Sequence, residues 1–240
     1  MSEFAPVIIV TGTGPSVGKT VAMAAMVVGL HAQGLRVVVG KLAQTGLPSG
    51  EPGDMQDVCR LAGEVETYEF VRLPDEHAPD ADADADADAD GRRAGVVFPS
   101  TADLGAKLAG IAGRDDVDVV LVEGAGGLLV RMDGEGSTIA DVGSELTARG
   151  VNVGYVVVAL AGRGTLNHSA LTAEALRTRG LGCLGFIIGS WPEDPDLETR
   201  SNAHELASVT GARLLGRIPA GAGQWGPVEF QAEAAGWISI

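Results

Sequence analysis

The chain has 240 residues, with 35 glycines, five Phe, three Trp and two Tyr, and a formal net charge of −15. That length suits one domain with ample sequence to bury a core. The acidity argues against nucleic acid as the main partner, because phosphate binding needs clustered Lys and Arg. Nothing approaches 18 uninterrupted apolar residues, and Met1 to Pro6 lacks a signal-peptide pattern, so no membrane span and a cytoplasmic protein are expected. Cys59 and Cys183 are lone thiols without CxxC or metal-ligand spacing, which fits a reducing compartment.

In chain order, a short apolar run at 7–10 predicts the first strand. A glycine-rich segment follows, then a helix over 19–33 and a second strand over 36–40. A helix over 55–62 comes next. Residues 80–90 then repeat Asp-Ala, which offers neither a helical apolar stripe nor a buriable strand face, so an acidic loop insertion at about 75–95 is expected within a single domain, 1–240. Eight acids and no base fall between Asp75 and Asp90, leaving −7 on the rest of the chain.

A helix over 102–113, capped by Thr101, leads to a strand over 117–122 and a helix over 139–149. A strand over 153–159, a helix over 166–179 capped by Thr165, and a strand over 184–188 follow. A helix over 197–209 and a strand over 214–218 close the pattern. Glycines at 34, 113, 150, 180 and 211 sit where these helices end. Near-continuous apolar strands alternating with helices predict a doubly wound α/β fold, with a mostly parallel sheet covered on both faces. Ligands in such sheets collect at the carboxyl ends of the strands.

The segment Val10-Thr-Gly-Thr-Gly-Pro-Ser-Val-Gly-Lys-Thr20 lies between a predicted strand and a predicted helix, the context that makes it a phosphate loop. Free N–H groups and the macrodipole at a helix start favour phosphate oxygens. Lys19 supplies an ammonium for the terminal phosphates and Thr20 a hydroxyl for Mg²⁺. Five residues separate Gly12 from Gly18, one more than in the ordinary P-loop.

Two acids could complete a magnesium site, since Mg²⁺ takes few protein ligands and keeps waters and phosphates. Glu123 ends a strand before Gly124-Ala-Gly-Gly127, and Asp54 opens a helix, where an N-cap or a simple N-terminal charge is the competing reading. Lys41 ends the second strand; it is either a surface lysine or a group that stabilises charge in phosphoryl transfer.

Together these residues resemble the dethiobiotin synthetase family of ATP-dependent ligases. The likeness rests on the widened loop ending Val17-Gly-Lys-Thr20, on Lys41 with Gln-Thr-Gly46, and on Leu121-Val-Glu-Gly-Ala-Gly-Gly-Leu128. It also rests on Gly164-Thr-Leu-Asn-His-Ser-Ala-Leu-Thr172, Gly189-Ser-Trp-Pro192 and Ile218-Pro-Ala-Gly221.

The resemblance implies a P-loop NTPase-type fold and closure of the ureido ring of dethiobiotin from 7,8-diaminononanoate, CO₂ and a nucleoside triphosphate. It implies a nucleotide site built from Ser16, Val17, Gly18, Lys19, Thr20, Val21, Asp54, Glu123, Gly124, Ala125 and Gly126. Gly189, Ser190, Pro219, Ala220 and Gly221 would border the base. Thr20, Asp54 and Glu123 would hold Mg²⁺, while Lys19 and Lys41 would be the catalytic cations. Thr45 would contact the substrate, and Gly164, Thr165, Leu166 and Asn167 of a second subunit would bind its carboxylate, which implies a homodimer.

Three positions depart from the family pattern. Pro15 replaces a threonine, Gly189-Ser190 stands where some relatives carry an asparagine that reads adenine, and Leu42 replaces a proline after the lysine, implying a looser turn. The resemblance therefore leaves the preferred base open. The alternatives are a related amidoligase, which would need a glutaminase domain, and a partitioning-type ATPase. The latter carries a further lysine early in its P-loop, and Thr11 to Val17 contains none.

Overall fold

The computed structural model describes residues 7–73, 98–133 and 135–240. Its first part runs β1 (Val7–Gly12), α1 (Lys19–Ala32), β2 (Val37–Lys41), β3 (Gln44–Thr45), α2 (Asp54–Ala62), β4 (Glu66–Glu69) and β5 (Arg72–Leu73). Then come α3 (Thr101–Ala112), β6 (Val119–Glu123), α4 (Ile139–Ala148), β7 (Val153–Ala159), α5 (Thr165–Thr178) and β8 (Cys183–Trp191). The chain ends with α6 (Leu197–Thr210), β9 (Leu214–Pro219), a 3-10 turn (Ala222–Gln224) and α7 (Pro227–Ala234). The Asp-Ala insertion expected at about 75–95 lies outside the described residues.

Seven strands form one parallel sheet in the order β4-β2-β6-β1-β7-β8-β9, and β3 pairs with β5 apart from it. The pleat explains how one apolar run serves two cores. Ile8 and Val10 pack on one face with Met23, Met26, Leu30, Val58 and Phe230. Val7 and Ile9, pointing the other way, pack with Leu104, Leu108, Val142, Leu146 and Leu176. These four residues of β1 have no exposed surface, as a strand covered on both faces requires. The doubly wound α/β expectation is met.

The strands reach further than their apolar runs. β2 ends at Lys41 and β6 at Glu123, so each charged residue is the last of its strand, and β8 extends through Gly189 and Ser190. β4, Glu-Thr-Tyr-Glu, escaped the sequence reading because it is a polar edge strand paired only with β2. α7 escaped it because an eight-residue helix burying only Phe230 and Ala234 shows too little periodicity.

Two caps need correction. Thr101 lies inside α3, and Ser100 is the N-cap, its hydroxyl oxygen accepting the Asp103 N–H at 3.1 Å. Gly164, not Thr165, caps α5, because the Thr165 hydroxyl donates to the Leu160 carbonyl at 2.6 Å. Replacing Ser100 by alanine is expected to cost about 1 kcal/mol. A shift of the urea midpoint measures it, and an unchanged midpoint contradicts the cap. Both cysteines are free thiols, and no helix among the described residues is long and apolar enough to cross a membrane.

Candidate active site

The phosphate loop spans the end of β1 and the start of α1. Val17 is buried and anchors the loop in the core, while Ser16, at φ 50°, and Gly18, at φ 94°, take left-handed conformations that turn the chain. Thr13 N–H donates to the Val158 carbonyl at 2.9 Å, tying the loop to β7. The first bond of α1 runs from Ala22 N–H to Gly18 O, so the N–H groups of Lys19, Thr20 and Val21 have no acceptor within the helix. Lys19 folds back, its ammonium donating to Gly14 O at 3.1 Å. The result is a positive cradle.

Gly189 lies directly against this loop. A Cβ on Gly18 would sit 2.7 Å from the Gly189 carbonyl oxygen, and one on Gly189 would run into the Val17 carbonyl. The end of β8 and the phosphate loop therefore touch backbone to backbone. Ala220 N–H, just past β9, donates to the Trp191 carbonyl at 2.8 Å and joins the two loops on that side.

Strand order brings the charged residues together. β2 pairs with β6 in a register that sets Lys41 opposite Glu123, and β6 also pairs with β1, setting Val10 opposite Glu123. The Lys41 ammonium reaches both Asp54 Oδ2 and Glu123 Oε1 at 2.6 Å. The Thr20 hydroxyl donates to the same Glu123 oxygen at 3.1 Å. Lys41 is 4% exposed and Glu123 1%, so this pair is nearly cut off from water, while Asp54 is half-buried at its outer side.

Burial pulls the Lys41 ammonium down, but Glu123 and Asp54 outweigh it and hold the group above its ordinary value. Burial pushes the Glu123 carboxyl up against the opposing pull of Lys41. The first shift favours an ion pair and the second a neutral acid. The ion pair is the better description, because Oε1 receives an ammonium and a hydroxyl together. Lys19 is pulled down by burial, opposed by Glu123. Glu123 Oε2 is buried and has no hydrogen-bond partner among the described residues.

Asp54 is the first residue of α2 rather than its cap, which is Gly53. A residue without an assigned role on sequence grounds sets it in place. Gln44, 3% exposed, accepts the Asp54 N–H on its side-chain oxygen at 2.8 Å. The only sequence signal was an amide three residues after Lys41. Leu42 corrects another expectation: it is fully buried, and its N–H donates to Glu123 O at 3.0 Å, a bond proline could not make. That turn is tied, not loose.

The remaining candidates stand apart from this cluster. Thr45 is exposed at the end of β3, and Gly164 to Asn167 open α5 beyond the end of β7, with no hydrogen bond or ion pair to the Lys41 cluster among the described residues. An open cleft of about 280 Å³ lies between the phosphate loop, residues 127–130 and the exposed Leu171 of α5.

A family model described as an AAA domain matches residues 7–223. The ATP-dependent dethiobiotin synthetase BioD of Streptomyces avermitilis is 49% identical over 236 residues, covering 97% of this chain and 92% of the relative. That of Saccharopolyspora erythraea is 50% identical over 216 residues, covering 90% and 88%. The chain is an enzyme of the dethiobiotin synthetase family. Among solved structures, the septum site-determining protein MinD of Pyrococcus horikoshii, complexed with Mg-ADP, aligns with a TM-score of 0.56 at 15% identity, covering 97% and 91%. A ParA family ATPase of Chlorobium tepidum aligns at 0.53 and 14%, covering 96% and 91%. At such identities these two share only a fold with this chain. The partitioning-type alternative gains only that fold, whereas the dethiobiotin synthetase relatives match in sequence along nearly the whole length.

Proposed function

We propose that the protein closes the ureido ring of dethiobiotin from 7,8-diaminononanoate, CO₂ and ATP, as a ligase of biotin biosynthesis acting in the cytoplasm. The observation that carries this reading is the buried Lys41 ammonium, held between Asp54 and Glu123 beside the phosphate loop. A cation fixed there meets negative charge without reorganising, where low dielectric strengthens it.

One amine nitrogen of the substrate bonds to the carbon of CO₂ and loses a proton, giving a carbamate. A carbamate oxygen then bonds to the γ-phosphorus as the bond to the β-phosphate bridging oxygen breaks, releasing ADP. The second amine attacks the carbamate carbon and gives up a proton to solvent, the C–O bond to phosphate breaks, and phosphate leaves with that electron pair. Both later steps gather charge on oxygen, so the chain's work is positioning and electrostatics rather than a covalent nucleophile. Lys19 and the N–H groups of Lys19, Thr20 and Val21 would hold the phosphates. Lys41 would neutralise the carbamate and the transferring phosphoryl group.

The donor set fits Mg²⁺. Asp54 and Glu123 flank the Lys41 ammonium and the Thr20 hydroxyl reaches Glu123, and Glu123 Oε2, without a partner among the described residues, suits a hard cation that completes its shell with waters and phosphate oxygens. When bound, the ion would screen charge on the β- and γ-phosphate oxygens. Thr45 would face the substrate, and Gly164 to Asn167 of a second copy would receive its carboxylate, through the N–H groups of Leu166 and Asn167 in the first turn of α5. Those N–H groups, rather than the occupied Thr165 hydroxyl, are the suitable donors there.

Incubation with diaminononanoate, bicarbonate, Mg²⁺ and ATP should yield dethiobiotin and one phosphate per turnover. Its absence with ATP, GTP, CTP and UTP alike overturns the proposal.

A further inference from the structure

α2 carries Asp54 at one end and Arg60 near the other, about 9 Å apart along the helix at 1.5 Å per residue. The Arg60 guanidinium forks across the turn that follows β9. Nη2 donates to the Gly223 carbonyl at 2.7 Å and Nη1 to the Trp225 carbonyl at 3.3 Å, while Nε donates to Asp57 at 3.1 Å. The two bonds to carbonyls bridge more than 160 residues of chain and go to backbone, so they hold the shape of the turn.

The turn stands beside the first turn of α1, where the phosphate loop ends. A Cβ on Gly223 would be 3.0 Å from the side chain of Val21, in the first turn of α1. From below it is supported by aromatic packing, Trp225 edge-on to Trp237 at 5.4 Å and Phe230 edge-on to Trp237 at 5.2 Å. On its near side it is strapped to β8 by the Ala220–Trp191 bond. Arg60 is the charged group that closes it from the α2 side.

We propose that Arg60 is a positioning residue for the nucleoside, its guanidinium fixing the turn at 219–225 as a wall for the base and ribose. This rests on the reading that residues 189–190 and 219–221 border the nucleotide. A planar five-donor fork suits two carbonyls at fixed separation, because each meets its own nitrogen, where a lysine has only one. Because Arg60 touches neither the phosphate loop nor Lys41, its loss should be felt by the nucleoside and not by the phosphates.

The test compares ATP with inorganic tripolyphosphate, which offers the same phosphates without a nucleoside. Both are titrated calorimetrically, with Mg²⁺, into wild type, Arg60→Met and Arg60→Lys. Arg60→Met is expected to weaken ATP about tenfold, the loss of charge-assisted hydrogen bonds to the turn, and to leave tripolyphosphate within about twofold. Arg60→Lys should recover part of the ATP affinity. Unchanged ATP affinity in Arg60→Met overturns the inference, and so does equal weakening of both ligands, which would mark a general structural role. A wild-type protein that binds ATP but forms no dethiobiotin overturns the proposed function alone, because this comparison needs no turnover.

Discussion

Lys41→Met is expected to lower dethiobiotin turnover by about 10²–10³-fold while ATP still binds, the size seen when one preorganised charge-stabilising group is removed. The ammonium is 4% exposed and held at 2.6 Å by two carboxylates, so it is oriented before any substrate arrives. Phosphate binding rests on other groups, Lys19 and the free N–H groups at the start of α1, which the substitution leaves in place. Methionine keeps the length of the stem, so packing changes little. The substitution does leave Asp54 and Glu123 without their shared cation, and breaking a buried pair costs about 3–5 kcal/mol when nothing replaces the charge. A lower urea midpoint should accompany the lost turnover, partly restored by Mg²⁺ with ATP through binding to the native state. Steady-state turnover with a parallel ATP titration checks the prediction. Unchanged turnover removes Lys41 from the mechanism.

Gly189→Ala should damage nucleotide binding from a strand that carries no charged group. A methyl at this position would strike the Val17 carbonyl of the phosphate loop and approach a Val158 methyl to 2.7 Å. One neighbour is backbone and the other a core strand residue, so neither yields without moving the loop or the sheet. Overpacking of this kind costs about 1–3 kcal/mol. The displaced loop would no longer aim its N–H groups together, so ATP affinity should fall by at least about tenfold. Gly14→Ala is the matched control for stability, because a Cβ there meets nothing within 4 Å. A urea midpoint that drops for Gly189→Ala and holds for Gly14→Ala supports the close approach. Equal behaviour of the two variants contradicts it.

The local features of this site were legible because their physics is local. A β-branched run, a glycine turn and Gly-Lys-Thr before a helix mark an anion cradle whatever the rest of the chain does. Strand ends were nearly as readable, and Lys41 and Glu123 stood out as charged residues closing apolar runs. Caps were less so, since Ser100 and Thr101 are chemically alike and only the helix geometry chooses between them. β4 stayed hidden because an edge strand with polar residues carries no apolar signature.

By itself, then, the sequence determined the α/β class, the position of the phosphate loop and, through resemblance, the family. Tertiary structure alone decided that Lys41 and Glu123, 82 residues apart, form one buried pair, because the strand order β2-β6-β1 sets their register. It likewise decided that Gln44 holds the Asp54 N–H and that Arg60 reaches the carbonyls of Gly223 and Trp225. The physical reason is shared. Periodicity and turn chemistry act over a few residues, whereas an ion pair or a bond to a distant carbonyl depends on which strands and helices become neighbours when the two cores close.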